Sequence, residues 1–450
     1  MNIPQPEAGT TSGGAAAPNP LSTAQPRAAF AASVPERRAA LISYALGYLY
    51  IRMFGVLAED GTVFRVLLAL FTLGFAALTE YLNRDTPRTR ESSVWLGCMA
   101  TVFAAVLFER CNAWDWELPV LLFLHIFAVW WALSRSGALL EGESGHLLPL
   151  DALNGFVLFP FAHFFHRART LDLARAERRA ARKRERADAE TMIWSLVMSA
   201  AALGLLALAA GLLTSADEGF AALFTDLFDW FRWRWTWDFD VTRLVLRILL
   251  SLPVGAYLFG LLDGALRQDK AALRERSRRV AEQMTALRGV PERVWLVLLS
   301  LFCLLYLTFF AVQGRYLFGA FTRTLPDGFI VSEYARQGFF ELCKVMAVNF
   351  ALLWLVTRSS RVEVRRQRAA WALCLVLLAE SFLLAVVAFS KLALYISCFG
   401  FTPKRLQSTW LVCVLAFGTG CAAWSLTRGG KTFRVWMFFG AVTLSLLCLY

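Results

Sequence analysis

Apolar residues along this chain gather in blocks of about twenty, divided by short polar stretches rich in arginine. A helix rising ~1.5 Å per residue needs about twenty residues to cross a ~30 Å hydrocarbon core. A membrane β-barrel would show alternating segments of ~10 residues instead. The pattern therefore predicts an all-α, polytopic membrane protein with about eleven transmembrane helices. They fall near 39–58, 62–82, 93–110, 117–135, 191–214, 242–264, 293–312, 335–357, 370–390, 408–426 and 434–450.

One block resists this reading. "HLLPLDALNGFVLFPFAHFF", 146–165, has the right length but contains Pro149, Asp151, Asn154, Pro160 and His163. Charge decides its treatment. Arg37 and Arg38, the Arg84–Arg90 loop, "RQDKAALRERSRR", "RSSRVEVRRQR" and "TRGGKTFR" fall on one side when the spans alternate. The stretch from Arg167 to Arg186 joins them only if 146–165 does not cross, and basic loops collect on the cytoplasmic side. The segment is thus expected to be re-entrant or interfacial, with a cytoplasmic N-terminus. Residues 1–34, rich in Pro, Gly, Ala and Ser, read as a flexible cytoplasmic tail without the build of a signal peptide. Residues 35–190 form a four-span unit with the basic helix, and 191–450 a seven-span unit.

Between the fifth and sixth spans the pattern changes character. Phe220, Leu223, Phe224, Leu227, Phe228 and Phe231 recur at helical spacing, and Trp233, Trp235, Trp237 and Phe239 then alternate with polar residues as in a strand. So aromatic a segment suits the membrane interface, as an anchoring belt or a lid.

Composition agrees with the pattern: 58% of residues are hydrophobic and 18% charged. The net charge of +12 lies mainly in the loops, where it sets topology and suits anionic lipid headgroups rather than nucleic acid. The lipid bilayer is the partner this implies, in the bacterial cytoplasmic (inner) membrane. Nine scattered cysteines without a C-x-x-C pair suggest neither a disulfide framework nor a thiolate metal site.

Polar residues inside the spans supply the candidate chemistry. The eighth span carries Arg336, Glu341, Lys344 and Asn349, and the ninth carries Glu380. Lys344 lies about 13 Å into its span and Glu380 at a matching depth. An ionisable group at mid-membrane costs at least ~2.5–3.5 kcal/mol and marks a candidate site. Helical spacing puts Glu341, Lys344 and Asn349 on one stripe, so Lys344 is expected to pair with Glu341 or Glu380 facing the bundle interior. A second group, Lys391, Tyr395, Thr402 and Arg405, is expected at a turn on the outer face, where Gly400 and Pro403 break the helix.

These two groups carry a likeness. "YARQGFFEL", followed about fifty residues later by "KLALYISCFGFTPKR", resembles a bacterial family of polytopic membrane proteins, the domain-of-unknown-function 4153/4173 group. The matching positions are Tyr334, Ala335, Arg336, Gly338 and Phe339, then Leu394, Tyr395, Gly400, Thr402 and Arg405, while Phe401, Pro403 and Lys404 depart from the pattern. The likeness covers mainly spans five to eleven. It implies a membrane location and no particular activity.

The histidines lie at 125, 146, 163 and 166. His163 and His166, three apart, could share a metal, but His166 is expected at the cytoplasmic surface while His125 lies about 12 Å deep in the fourth span. No metal site is assigned. No phosphate loop, H-E-x-x-H, G-x-S-x-G or cofactor-binding motif occurs. Three function classes remain. A transporter or permease is favoured by the midplane charges, a membrane-embedded enzyme acting on a lipid by the outer cations, and a sensor or scaffold by the basic loops.

Overall fold

The computed structural model describes residues 30–57, 60–110, 114, 117–181, 202, 241–286, 288–322 and 339–450. The expected span 191–214 apart from residue 202, the aromatic segment 220–239 and the positions Tyr334, Ala335, Arg336 and Gly338 lie outside these residues.

Polar caps set where the helices begin. Ser33 and Glu36 form a reciprocal capping box at the start of α1 (Val34–Val56). Asp60 caps α2 (Gly61–Leu82) by accepting from the backbone of Thr62 and Val63. Thr89 and Ser92 do the same for α3 (Arg90–Leu107). The chain continues through α4 (Glu117–Ser136), the short α5 (Leu148–Leu153), a π-helical turn (Asn154–Leu158), α6 (Phe159–Ala162) and α7 (His166–Ala181). Then follow α8 (Val241–Leu266), α9 (Lys270–Ala286), α10 (Glu292–Thr322), α11 (Phe339–Ser359), α12 (Arg368–Phe399), α13 (Pro403–Thr427) and α14 (Thr432–Leu447). Eight of these, α1, α2, α4, α8, α10, α11, α12 and α13, are long and apolar enough to cross a membrane. Helices α3 and α14, also expected to span, are shorter or carry a polar first turn. The chain is an all-α polytopic membrane protein.

α12 overruns its expected end near residue 390 and continues to Phe399. No Gly or Pro interrupts it before Gly400, which ends it with φ 77°. At ~1.5 Å per residue it is about 48 Å long, well beyond the hydrocarbon thickness.

Ion pairs tie the helix ends together at one end of the bundle. Arg38 reaches Tyr81, and Glu36 pairs with Arg267 at 3.0 Å. Arg135, at the end of α4, grips Glu80 near the end of α2. Arg434, at the start of α14, pairs with Glu91 of α3 at 2.7 Å and with Glu143. Lys431 also pairs with Glu143, and this contact, with the nearby Arg434, holds the Glu143 carboxyl below its usual range against the opposing cost of burial.

The same network locates the ambiguous segment. Ser144 donates to Glu91 at the start of α3, and His146 stacks on Phe433. Beyond the segment, His163 and His166 meet Asp263 near the end of α8, beside Arg267 and hence Glu36. Both flanks therefore sit at one end of the bundle, and the helices Leu148–Ala162 and His166–Ala176 meet at a bend of 41°, as in a broken span or a re-entrant loop. Between the flanks, the Phe156 carbonyl accepts from Tyr257 at 2.9 Å.

Candidate functional site

Polar residues expected in the spans separate into two sets. On α11 the buried side chains include Leu342, Cys343, Met346, Asn349, Leu353 and Val356. At ~100° per residue these centre roughly 180° from Lys344. Lys344 and Glu341 accordingly face outward, and among the described residues neither has an ion pair. The expected pairing of Lys344 with Glu341 or Glu380 is not formed. Spacing alone placed Asn349 on their stripe, at its edge, whereas packing against α12 uses the opposite face.

Asn349 and Glu380 do come together, with partners the sequence reading missed. Tyr306 of α10 donates to Asn349 Oδ1 at 2.6 Å, and Asn349 Nδ2 donates to Ser381 Oγ at 2.7 Å. Ser381 in turn donates to the Leu377 carbonyl. One amide thus bridges α10, α11 and α12 about 15 Å from the end of α11. Glu380, the neighbour of Ser381, is 6% exposed, and neither of its carboxylate oxygens has a hydrogen-bond partner among the described residues. The Cys303 thiol lies beside it but directs its proton to the Leu373 carbonyl, 3.7 Å away. A bare carboxylate costs several kcal/mol in such surroundings. Tyr306 and Ser381, spaced by other apolar residues, gave no periodic signal. Only their hydroxyls in otherwise apolar spans could have marked them.

The second expected group is partly assembled. The Arg405 guanidinium lies 4.0 Å from the Tyr395 ring centroid and donates to the Gly400 carbonyl. Thr402 occupies the N-cap position of α13 without a side-chain capping bond. Lys391 does not belong to this turn. It is 1% exposed inside α12, because the helix runs two further turns beyond it.

Two other constellations appear. His125 Nδ1 lies 2.6 Å from the Leu121 carbonyl, so that nitrogen carries the proton and Nε2 accepts from Tyr50 at 3.0 Å. The pair lines an apolar cavity of about 690 Å³ with Phe54, Phe71, Phe75 and Tyr257. Near the end of α8, His163 and His166 converge on Asp263, whose side chain is 1% exposed. Asp263, about a hundred residues away in sequence, could not have been matched to them by spacing. The glycines of "FGLLDGAL" are the readable trace: a Cβ at Gly260 would lie 2.4 Å from the Pro160 carbonyl oxygen, and one at Gly264 2.8 Å from Phe159 Cβ. This small-xxx-small pair lets α6 lie directly on α8.

A model described as "Domain of unknown function (DUF4153)" matches residues 97–450. The likeness therefore reaches further toward the N-terminus than the motif around spans five to eleven suggested. No curated protein and no solved structure matches the chain. With most of its length covered by that one model, the chain belongs to the DUF4153 family.

Proposed function

We propose that this protein is a proton-coupled carrier of the bacterial cytoplasmic membrane, with Glu380 as its protonatable centre. The carrying observation is a buried carboxyl without a hydrogen-bond partner among the described residues, set against an amide and hydroxyl chain that joins three helices. A carboxyl so placed can take up and release a proton without breaking an ion pair, and Asn349 couples its surroundings to movement of α10 and α11 against α12. Infrared difference spectra of the protein in lipid test this. A carboxylic-acid carbonyl band should disappear in Glu380→Gln and shift promptly in D2O. A band that is absent, or that does not exchange, refutes the role.

The orientation belongs to the same proposal. The basic loops between α2 and α3, after α8, after α11 and after α13 gather at one end, which suits the cytoplasmic face and its anionic headgroups. A cysteine at the exposed Arg276, in an otherwise cysteine-free chain, should react with an impermeant maleimide only after lysis. Reaction in intact cells overturns the orientation.

The 690 Å³ apolar cavity at Tyr50 and His125 favours a second reading, an enzyme that holds a lipid chain. Lipid retained through detergent purification and lost in Ala128→Phe supports it. Equal lipid content in both counts against it.

A further inference from the structure

From the cluster at the end of α8 we infer that His163, His166 and Asp263 form a binding site for one divalent transition-metal ion of the zinc class. This does not rest on the role given to Glu380. The three donor atoms are His163 Nδ1, His166 Nδ1 and Asp263 Oδ2. Their separations are 3.1 Å between the nitrogens, and 3.3 Å and 2.7 Å from His163 and His166 to the oxygen. An ion held at ~2.0–2.2 Å by tetrahedral nitrogen and oxygen ligands spaces them about 3.3–3.6 Å apart. The observed triangle is slightly tighter and lets such an ion sit about 1 Å above its plane.

Hydrogen bonding alone serves this triangle poorly. If both Nδ1 atoms carry protons, two N–H groups converge on one oxygen from directions roughly 60° apart and crowd each other. If only His166 is protonated there, the His163 lone pair faces a carboxylate oxygen at 3.3 Å. A cation removes both conflicts, because all three atoms then direct lone pairs at it.

The surroundings are built for a ligand set. Arg267 Nε donates to the other Asp263 oxygen at 2.7 Å, and its terminal nitrogen holds Glu36 at 3.0 Å. Outer partners of this kind fix a ligating carboxylate in place. The Phe30 ring packs edge-on against His166, with the Arg267 guanidinium over its face. Three protein ligands leave a fourth position for water or a substrate atom, and imidazole with one carboxylate suits zinc, cobalt, nickel or iron. The bound ion would join α6 and α7 to α8 and close the start of α1 over the junction.

The test uses the full chain, purified in detergent without a polyhistidine tag and stripped with a chelator. Titration with Co²⁺ should saturate at one ion per chain, with the visible bands of four-coordinate cobalt and no thiolate charge-transfer band. Zinc should bleach them. His166→Ala and Asp263→Asn should each weaken binding by more than about 100-fold, beyond the loss of an outer-shell partner, and His146→Ala should not. A wild-type chain without saturable four-coordinate binding overturns the proposal, whether or not the variants fold. So does a spectrum undiminished in the His163→Ala, His166→Ala double variant.

Discussion

Replacing Arg135 with Met should be among the most damaging single changes in the protein. The side chain is 3% exposed, yet every guanidinium nitrogen is engaged. Nε contacts both Glu80 oxygens at 3.1 and 3.2 Å, one terminal nitrogen donates to Glu80 and the Asn83 carbonyl, and the other to the carbonyl and hydroxyl of Thr86. It therefore joins α4 to the last turn of α2 and caps the chain that leaves it. Removing one partner of a buried pair costs about 3–5 kcal/mol. Two features place this case at the low end. The Glu80 side chain is 26% exposed, and Arg88 remains 3.3 Å from it. About 3 kcal/mol follows, roughly a hundredfold in the folding equilibrium. Arg135→Lys should recover only part, since an ammonium cannot reproduce the planar fork. Adding Glu80→Gln to Arg135→Met should restore stability relative to the single change. Unfolding in mixed micelles of increasing SDS fraction measures all four proteins. A loss within about 0.5 kcal/mol, the range of ordinary surface changes, would refute the argument.

Four further outcomes follow from the packing. Gly260→Leu should destabilise by about 1–3 kcal/mol through overpacking against Pro160, read by the same unfolding assay, and Gly260→Ala should cost less. Asn349→Leu should cost about 1–2 kcal/mol, since interhelical hydrogen bonds in membranes average ~0.6 kcal/mol and the Tyr306 hydroxyl is left stranded; Lys344→Met, on the exposed face, should stay within about 0.5 kcal/mol of wild type and add independently to Glu380→Gln. Because Glu143 has a lowered folded-state value, its contribution is complete above 4.5 and is lost as pH falls through the depressed value; the α14 junction should then exchange amide hydrogens faster, and Glu143→Gln should remove that dependence.

The broad fold was legible because its cause is local. A run of about twenty apolar residues makes a span wherever it occurs, and arginine-rich loops mark the sides without reference to any contact. Proline and asparagine content left 146–165 open, and the bend of 41° between its helix and α7 suits a broken span or a re-entrant loop. Rotation about a helix axis was not legible in the same way. In lipid both faces of a span are apolar, so Lys344 could not reveal that the packing face of α11 lies opposite to it. Glu380 was readable as a lone acid in an apolar run, but Tyr306 and Ser381 were not, because hydroxyls in spans commonly satisfy their own backbone. Asp263 was hidden by distance along the chain, and only the glycines around it recorded that another backbone comes close.

The pairing of Arg434 with Glu91 constrains the order in which the protein can be completed. The two residues are 343 positions apart, and Glu91 is 6% exposed. Around them α14 lays Phe438 against Trp95 at 5.2 Å and joins the core built mainly by α1 to α4 and α8. During synthesis the early helices enter the membrane long before Arg434 exists. Until then Glu91 holds only Trp95 and the Ser144 amide, and the groove for α14 stays open. The burial of Glu91 and of the Trp95 face thus depends on α14, and this side of the early helices has no such cover until α14 has been made. Helix α14 acts as a pin between distant parts of the chain, so a ribosome stalled before Arg434 leaves this junction unmade.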